Sequence, residues 1–256
     1  MTGHAQAQPD TAPTTMLEDA ASAIPGFERG LSQPINILIV LTVLTLAPSI
    51  IIMCTSFVRI VIVLGLMRQA IGTQSLPPSQ VIIGTALLLT FMIMAPTIDR
   101  IYSEAILPYQ NGDPAVTSQL DVWNRAKEPI RDFMFAQIEE TGNWEGVYTI
   151  LEYRGFDRSK LTELTYDDID MLTLVPSYVM SELKTAFLIA FRVYLPFLII
   201  DMVIASLLIS MGMLMLPPVL ISLPFKLLLF VLVDGWNLVI ESLINGFMQP
   251  ATAGGL

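Results

Sequence analysis

The sequence predicts an all-α protein of integral-membrane type, in which two long, kinked helical hairpins flank an inserted, acidic, mostly helical domain. Three observations predict it. Of 256 residues, 54% are hydrophobic and only 14% charged, against about 25% charged in an average soluble domain. The apolar residues gather in four long segments, paired across two short joints that each end in Leu-Pro-Pro. Between the two pairs lies a polar stretch that carries most of the acidity of the chain.

The same composition excludes whole classes of function. A net charge of −10 argues against nucleic acid as a partner, because phosphate binding needs clustered Lys and Arg. One cysteine, Cys54, excludes an intramolecular disulfide and a cysteine-based metal cluster. One histidine, His4, lies in a polar tail, which leaves no internal base for a Ser-His or Cys-His pair. The GxGxxG, P-loop, GxSxG and HExxH patterns are all absent. No enzymatic activity, cofactor or metal is expected.

Taken in order, residues 1–33 are rich in Ala, Pro, Thr and Gln, with no apolar run, and read as a flexible tail. The stretch "HAQAQ" has the look of a chain cut at a small-residue cleavage site, so a processed start is expected. The first hairpin, 34–101, contains Ile35–Met67, with Pro48 and Arg59 inside it, and Val81–Ile98. As one helix the former would reach ~50 Å, whereas a hydrocarbon core is only ~30 Å thick. It must tilt, kink at Pro48 or extend beyond the bilayer. The joint "RQAIGTQSLPPSQ" closes on Pro77 and Pro78. Two prolines stop one helix and start the next, since each fixes φ and removes a donor.

The polar domain, 102–180, holds fourteen Asp and Glu against six Lys and Arg, a balance of −8. Leu120, Trp123, Ile130, Phe133, Met134 and Ile138 mark an amphipathic helix with Pro129 near its middle. "NGD" at 111–113 reads as a turn. "TYDDID" at 165–170 reads as a helix start, with acids near the positive dipole end. The same acids suit Ca²⁺, but no EF-hand spacing is present. The second hairpin, 181–248, contains Ala186–Leu216 and Val219–Ile244, joined through "MGMLMLPP" with Pro217 and Pro218. Residues 249–256 form a short tail. Arg68 at the first joint stands without an acid. Basic short loops stay cytoplasmic, so the joints are expected there and the acidic domain on the opposite side.

The hairpins also carry charges that ordinary membrane helices avoid: Arg59, Glu182, Lys184, Arg192, Asp201, Lys226 and Asp234. Lys226 and Asp234 are eight residues apart, ~80° around and ~12 Å along one helix, too far to pair. Arg192 and Asp201 fall on roughly opposite faces. A charge at mid-bilayer costs several kcal/mol. Such charges either sit at helix ends and snorkel to water, or meet a partner on another segment or subunit, as in an ion path or an assembly. The bridge favoured on sequence is Glu182 to Lys226.

Several stretches resemble the FliP family: "SELKTAF", "PFLIID", "MGMLMLPP" and "LPFKLLLFVLVDGW" in the second hairpin, "LAPSIIIMCTSFVRIVIVL" and "GTQSLPPSQVIIG" in the first. That family, with its injectisome relatives (SctR), forms the core of the type III secretion export gate. The resemblance implies several copies, a pentamer, in a ring around one pore. It implies FliQ and FliR as partners, with FlhA and FlhB, and unfolded export substrates as the cargo. It places the protein in the bacterial inner membrane and the flagellar basal body, with hairpins packed on neighbouring subunits and lifted largely out of the bilayer plane. It implies a pore constriction at Gly212, Met213, Leu214 and Met215, where Leu214 departs from a run of three methionines. Unbranched thioethers are flexible and apolar and can close around a chain of any sequence. Core filling is the plainer use of methionine in a chain that has 14 of them.

Two other classes stand against this one. A small-ion or solute transporter would use Asp201 and Lys226 and would also want broken helices. An intramembrane hydrolase would need an activated nucleophile, for which Ser181 and Lys184 are the nearest approach.

Overall fold

The computed structural model describes residues 33–73, 76–156, 165–213 and 215–247. Of the expected tails, 1–33 and 249–256, all but Gln33, which opens α1, lies outside the described residues, as does Leu214 of the expected constriction. Everything regular in the described part is helical. The helices are α1 (Gln33–Met53), α2 (Phe57–Ile71), α3 (Ser79–Ile101), α4 (Leu107–Gln110), α5 (Gln119–Thr141), α6 (Glu145–Tyr153), α7 (Met171–Ser210), α8 (Pro218–Leu232) and α9 (Gly235–Asn245). A π-turn, Tyr102–Ile106, links α3 to α4, and a 3₁₀ turn, Tyr166–Asp168, precedes α7.

The first apolar segment breaks, but not at Pro48. α1 runs through Pro48 to Met53, and the chain turns by 71° over Cys54–Ser56 before α2. The tertiary structure explains the place. Tyr178 Oη, from α7, donates to the freed carbonyl of Thr55 at 3.0 Å, and Cys54 and Ser56 are buried. α2 then buries Ile60, Val63, Leu64, Met67 and Ile71, the stripe of a 3.6-residue repeat, against α7 and α3.

The amphipathic helix expected in the acidic domain is α5. Ser118 caps it in a reciprocal capping box with Asp121, satisfying two orphan N–H groups. Its second half buries Phe133, Met134 and Ile138, whereas Leu120 and Trp123 at its start are exposed, contrary to the expected stripe. "TYDDID" divides between two starts: Thr165 and Asp168 cap the 3₁₀ turn, and Asp170 caps α7 by accepting from Thr173 N at 3.1 Å.

α7 is the spine, packing on α2, α5, α6 and α8. Its 40 residues make ~60 Å. It begins inside the acidic stretch and crosses the expected division at 180 without interruption, because Pro176 and Pro196 are both accommodated in the helix. Beyond Ala190 it exposes Phe191, Ile199, Met202 and Val203.

The fourth apolar segment is not one helix. α8 and α9 meet at 61° about Asp234, a left-handed residue at φ 50°. Gly235 permits the join: a Cβ there would lie 2.2 Å from the Phe230 ring. The continuous helical stretch Ser79–Gln110 (α3 to α4) and α7 are each long and apolar enough to cross a membrane, and the bent pairs α1–α2 and α8–α9 raise the count to four if each is one span.

Candidate functional site

The packing of α2 on α7 buries an arginine. Arg59 is 1% exposed. Its Nε and Nη2 donate to the two Glu182 oxygens at 2.7 and 2.6 Å. Nη2 also donates to Gln137 Oε1 at 3.1 Å, and Nη1 to the Gly246 carbonyl at 2.7 Å. The guanidinium carbon lies 3.9 Å from the centroid of the Phe247 ring, within cation–π range. One side chain thus ties α2 to α5, α7 and the end of α9. The bidentate fork is the geometry that guanidinium and carboxylate share. Glu140, on the last turn of α5, senses the same centre: partial burial pushes its carboxyl up and Arg59 pulls it down.

A second centre joins α7 to α8. Lys226 Nζ donates to Asp201 Oδ2 at 2.6 Å, and Ser222 Oγ donates to Asp201 Oδ1 at 2.5 Å. Lys226 is 3% exposed and Ser222 fully buried, while the Asp201 side chain is 28% exposed. The expected Glu182–Lys226 bridge is therefore not formed. Glu182 faces α2, where Arg59 takes both its oxygens. Lys226 faces the outer half of α7, where Asp201 meets it.

The other candidate charges are not brought together. Lys184, Arg192 and Asp234 are exposed, and none has an ion-pair partner among the described residues. Ser181 and Lys184 do not form a nucleophile and base. Ser181 is buried and accepts from Asn143 Nδ2 at 3.0 Å, with Thr141 Oγ1 at 3.1 Å. Sequence reasoning missed Gln137, Ser222, Gly246 and Phe247. Gln137 lay within reach of it, since it follows Phe133 by four and Met134 by three and so falls on the buried stripe of α5. No sequence signal marks the Gly246 carbonyl as the acceptor for an arginine 187 residues away.

The joint between α7 and α8 is a tight turn. Gly212 sits at φ 74°; its N–H bonds to Ile209 O at 3.0 Å, and Met213 N–H to Leu208 O at 2.9 Å. These two bonds make a Schellman cap, which ends a helix on a left-handed residue. Pro217 then caps α8 and Pro218 opens it, as Pro77 and Pro78 precede α3. Three methionines at this turn are exposed: Met211 by 68%, Met213 by 44% and Met215 by 96%.

Comparison with known proteins gives one family. The model of the FliP family matches residues 40–243. The chain is 47% identical over 219 residues to the flagellar biosynthetic protein FliP of Bacillus subtilis, covering 86% of this chain and 94% of the relative. It is 47% identical over 220 residues to the protein of the same name from Aquifex aeolicus, covering 86% and 88%. It is 44% identical over 225 residues to that of Pectobacterium carotovorum, covering 88% and 83%.

Proposed function

The chain belongs to the FliP family, and from that premise we propose that it is a subunit of a flagellar export gate whose α7–α8 turn closes a pore for unfolded protein. The observation that carries the reading is the turn. A capped helix end and two prolines hold three methionines where no neighbour among the described residues buries them. In a ring of identical copies, a pentamer on the resemblance, every such turn would face one axis. A collar of apolar, flexible side chains excludes water and ions by dewetting, and thioethers deform around passing chains without demanding a sequence. Met213 and Met215 make the seal in this reading, with Leu214 between them and Gly212 setting the bend.

The rest of the arrangement fits. The exposed apolar length of α7, α8 and α9 suits copies of the chain and the FliQ and FliR type of partner, with FlhA and FlhB at the same machine. Lys184, Arg192 and Asp234 are charges left for neighbouring subunits. Residues 34–101 and 181–248 act as the two hairpins and 102–180 as the acidic domain, held on the periplasmic side of the inner membrane. The competing transporter reading uses Asp201 and Lys226 as its free intramembrane charges, and these two pair with each other.

The test is alanine at Met213 and Met215 together. Assembly stays intact while ion conductance, or uptake of a normally excluded solute, rises. An assembled double variant as tight as the parent moves the seal elsewhere and leaves these methionines as packing groups.

A further inference from the structure

A cavity of about 480 Å³ lies between α3, α5 and the end of α9, away from both charge centres. Its lining is mostly apolar: Met92, Ile93 and Pro96 of α3, Phe133 of α5, and Phe247. Thr97 adds a polar group to that lining. It is 8% exposed, and its hydroxyl has no hydrogen-bond partner among the described residues. Thr90, two turns earlier on the same helix, spends its own on Ala86 O at 2.7 Å. Arg100 and Asp132 stand at the rim. Arg100 donates to Glu104 Oε1 and to Asp132 Oδ2, each at 2.9 Å. One guanidinium against two half-exposed carboxylates leaves a charge of −1.

Elsewhere on α5 a large apolar group lies uncovered. Trp123 is 63% exposed and Leu120 45%, on an i, i+3, i+7 stripe that ends in Lys127. Lys127 meets no acid among the described residues; its Nζ donates to Asn124 Oδ1 at 3.3 Å. The acids nearby are engaged elsewhere, Asp121 in the capping box and Glu128 with Arg131 at 3.3 Å. So α5 carries both a knob with a spare positive charge and one wall of a groove with a spare negative one. The groove residues of α5 stand ~80° (Phe133) to ~180° (Asp132) around the helix from Trp123. Knob and groove therefore open to different sides of one copy, as a head-to-tail contact requires; such a contact makes a ring when its rotation closes.

We propose that the groove receives Trp123 of the neighbouring copy. The indole covers Ile93, Pro96 and Phe133, and its N–H, which needs an acceptor once buried, donates to Thr97 Oγ1. Leu120 follows it over the groove edge, and Lys127 faces the Asp132 and Glu104 carboxylates. A buried tryptophan covers ~150–250 Å² and is the side chain on which interfaces most often concentrate their affinity. The inference rests on the reading of the chain as one subunit in a ring of identical copies, and is independent of the α7–α8 turn.

The experiment uses the full chain, expressed with its natural partners and extracted in mild detergent. Asn124→Cys, beside the knob, is combined with Met92→Cys, half exposed at the groove, and treated with a short bismaleimide. The double variant gives a ladder of dimers and higher oligomers of the chain, and each single variant gives none; Cys54 is buried and stays silent. Trp123→Ala, at an exposed position, weakens assembly on dilution by roughly thirtyfold without lowering the melting temperature of the dissociated chain. Trp123→Phe and Thr97→Val each weaken it by roughly threefold to tenfold, and together no more than either alone, since both remove one hydrogen bond. An assembled complex in which the double-cysteine variant does not cross-link, cross-links to another kind of subunit, or stops at dimers overturns the proposal. So does assembly unchanged in Trp123→Ala, or additive losses in the last pair. A wild-type chain that forms no oligomer of itself overturns the ring reading as well, so the two failures are told apart.

Discussion

Arg59 and Lys226 are both buried cations in apolar helices, yet their surroundings predict different costs of removal. Arg59 and Glu182 are 1% and 0% exposed, and deleting one partner of such a pair strands the other charge, at about 3–5 kcal/mol. Arg59→Ala also frees the Gln137 and Gly246 oxygens, so no folded chain is expected at ordinary yield. Arg59→Lys keeps the charge but not the fork and is expected to lower thermal stability in detergent measurably. Lys226→Ala leaves Asp201 on a partly exposed carboxylate that water reaches, so its loss is smaller, about 1–3 kcal/mol. The pairing itself is tested by exchange. Asp201→Lys with Lys226→Asp recovers stability that either single change loses, whereas Glu182→Lys with Lys226→Glu recovers none. Recovery in the second exchange and not the first would show that the pairs are wrongly drawn.

At the scale of elements, two glycines and one cap separate strain from space. Gly235 has left-handed Asp234 before it and the Phe230 ring against it. Gly235→Ala forces that ring to move, and overpacking of this kind costs about 1–3 kcal/mol. Phe230→Leu in the same chain is expected to restore part of the loss, as thermal denaturation in detergent would show. Gly212 is left-handed but open, with no described residue within 4 Å of an added Cβ. Gly212→Ala is expected to cost only about 1 kcal/mol through backbone strain, with assembly retained. At the start of α7, Asp170 accepts from Arg154 and from Thr173 N, and the Arg154 bond, ahead of the cap, holds its carboxyl below the usual range. A depressed folded value means stability present above the unfolded value, about 3.9, and lost as pH falls through the folded one. Asp170→Asn is therefore expected to flatten the acid limb of the melting profile below about pH 4. An unchanged limb would assign acid lability to other carboxylates.

At the scale of the whole molecule, charge bears on orientation and exposed apolar surface on assembly. Most of the chain's negative charge lies in 102–180, and the basic joint carries Arg68, which donates to Pro77 O and Ser79 Oγ. The positive-inside rule predicts that the acidic domain faces the periplasm. Gly112, exposed in the turn after α4, is the place to ask. A Gly112→Cys chain is expected to react with an impermeant thiol reagent in intact cells, while Cys54, buried at the α1–α2 break, stays silent. Labelling at residue 112 only after lysis would invert the topology. The exposed apolar lengths of α7 and α8 call for cover by lipid or protein, so the protein is expected to be recovered as a large complex, not as a single chain, in mild detergent.

Local chemistry alone determined the helical class, the four apolar segments, the stops at the paired prolines and the capped start at 165–170, because periodicity, breakers and caps act over a few residues. The Gly212 turn was legible for the same reason, since a glycine before two prolines cannot continue a helix. Only the tertiary structure decided where the first segment breaks. A proline's lost hydrogen bond is tolerated at Pro48, while Thr55 breaks because a distant Tyr178 satisfies its carbonyl. The Asp-Gly step at 234–235 was a readable turn signal, but its angle depends on Phe230 packing behind it. The sequence named Arg59, Glu182, Asp201 and Lys226 as charges in need of partners. Their pairing depended on which helix faces the long α7 at each height, a contact between residues 123 apart in one case and 25 in the other, and no local rule reaches that far.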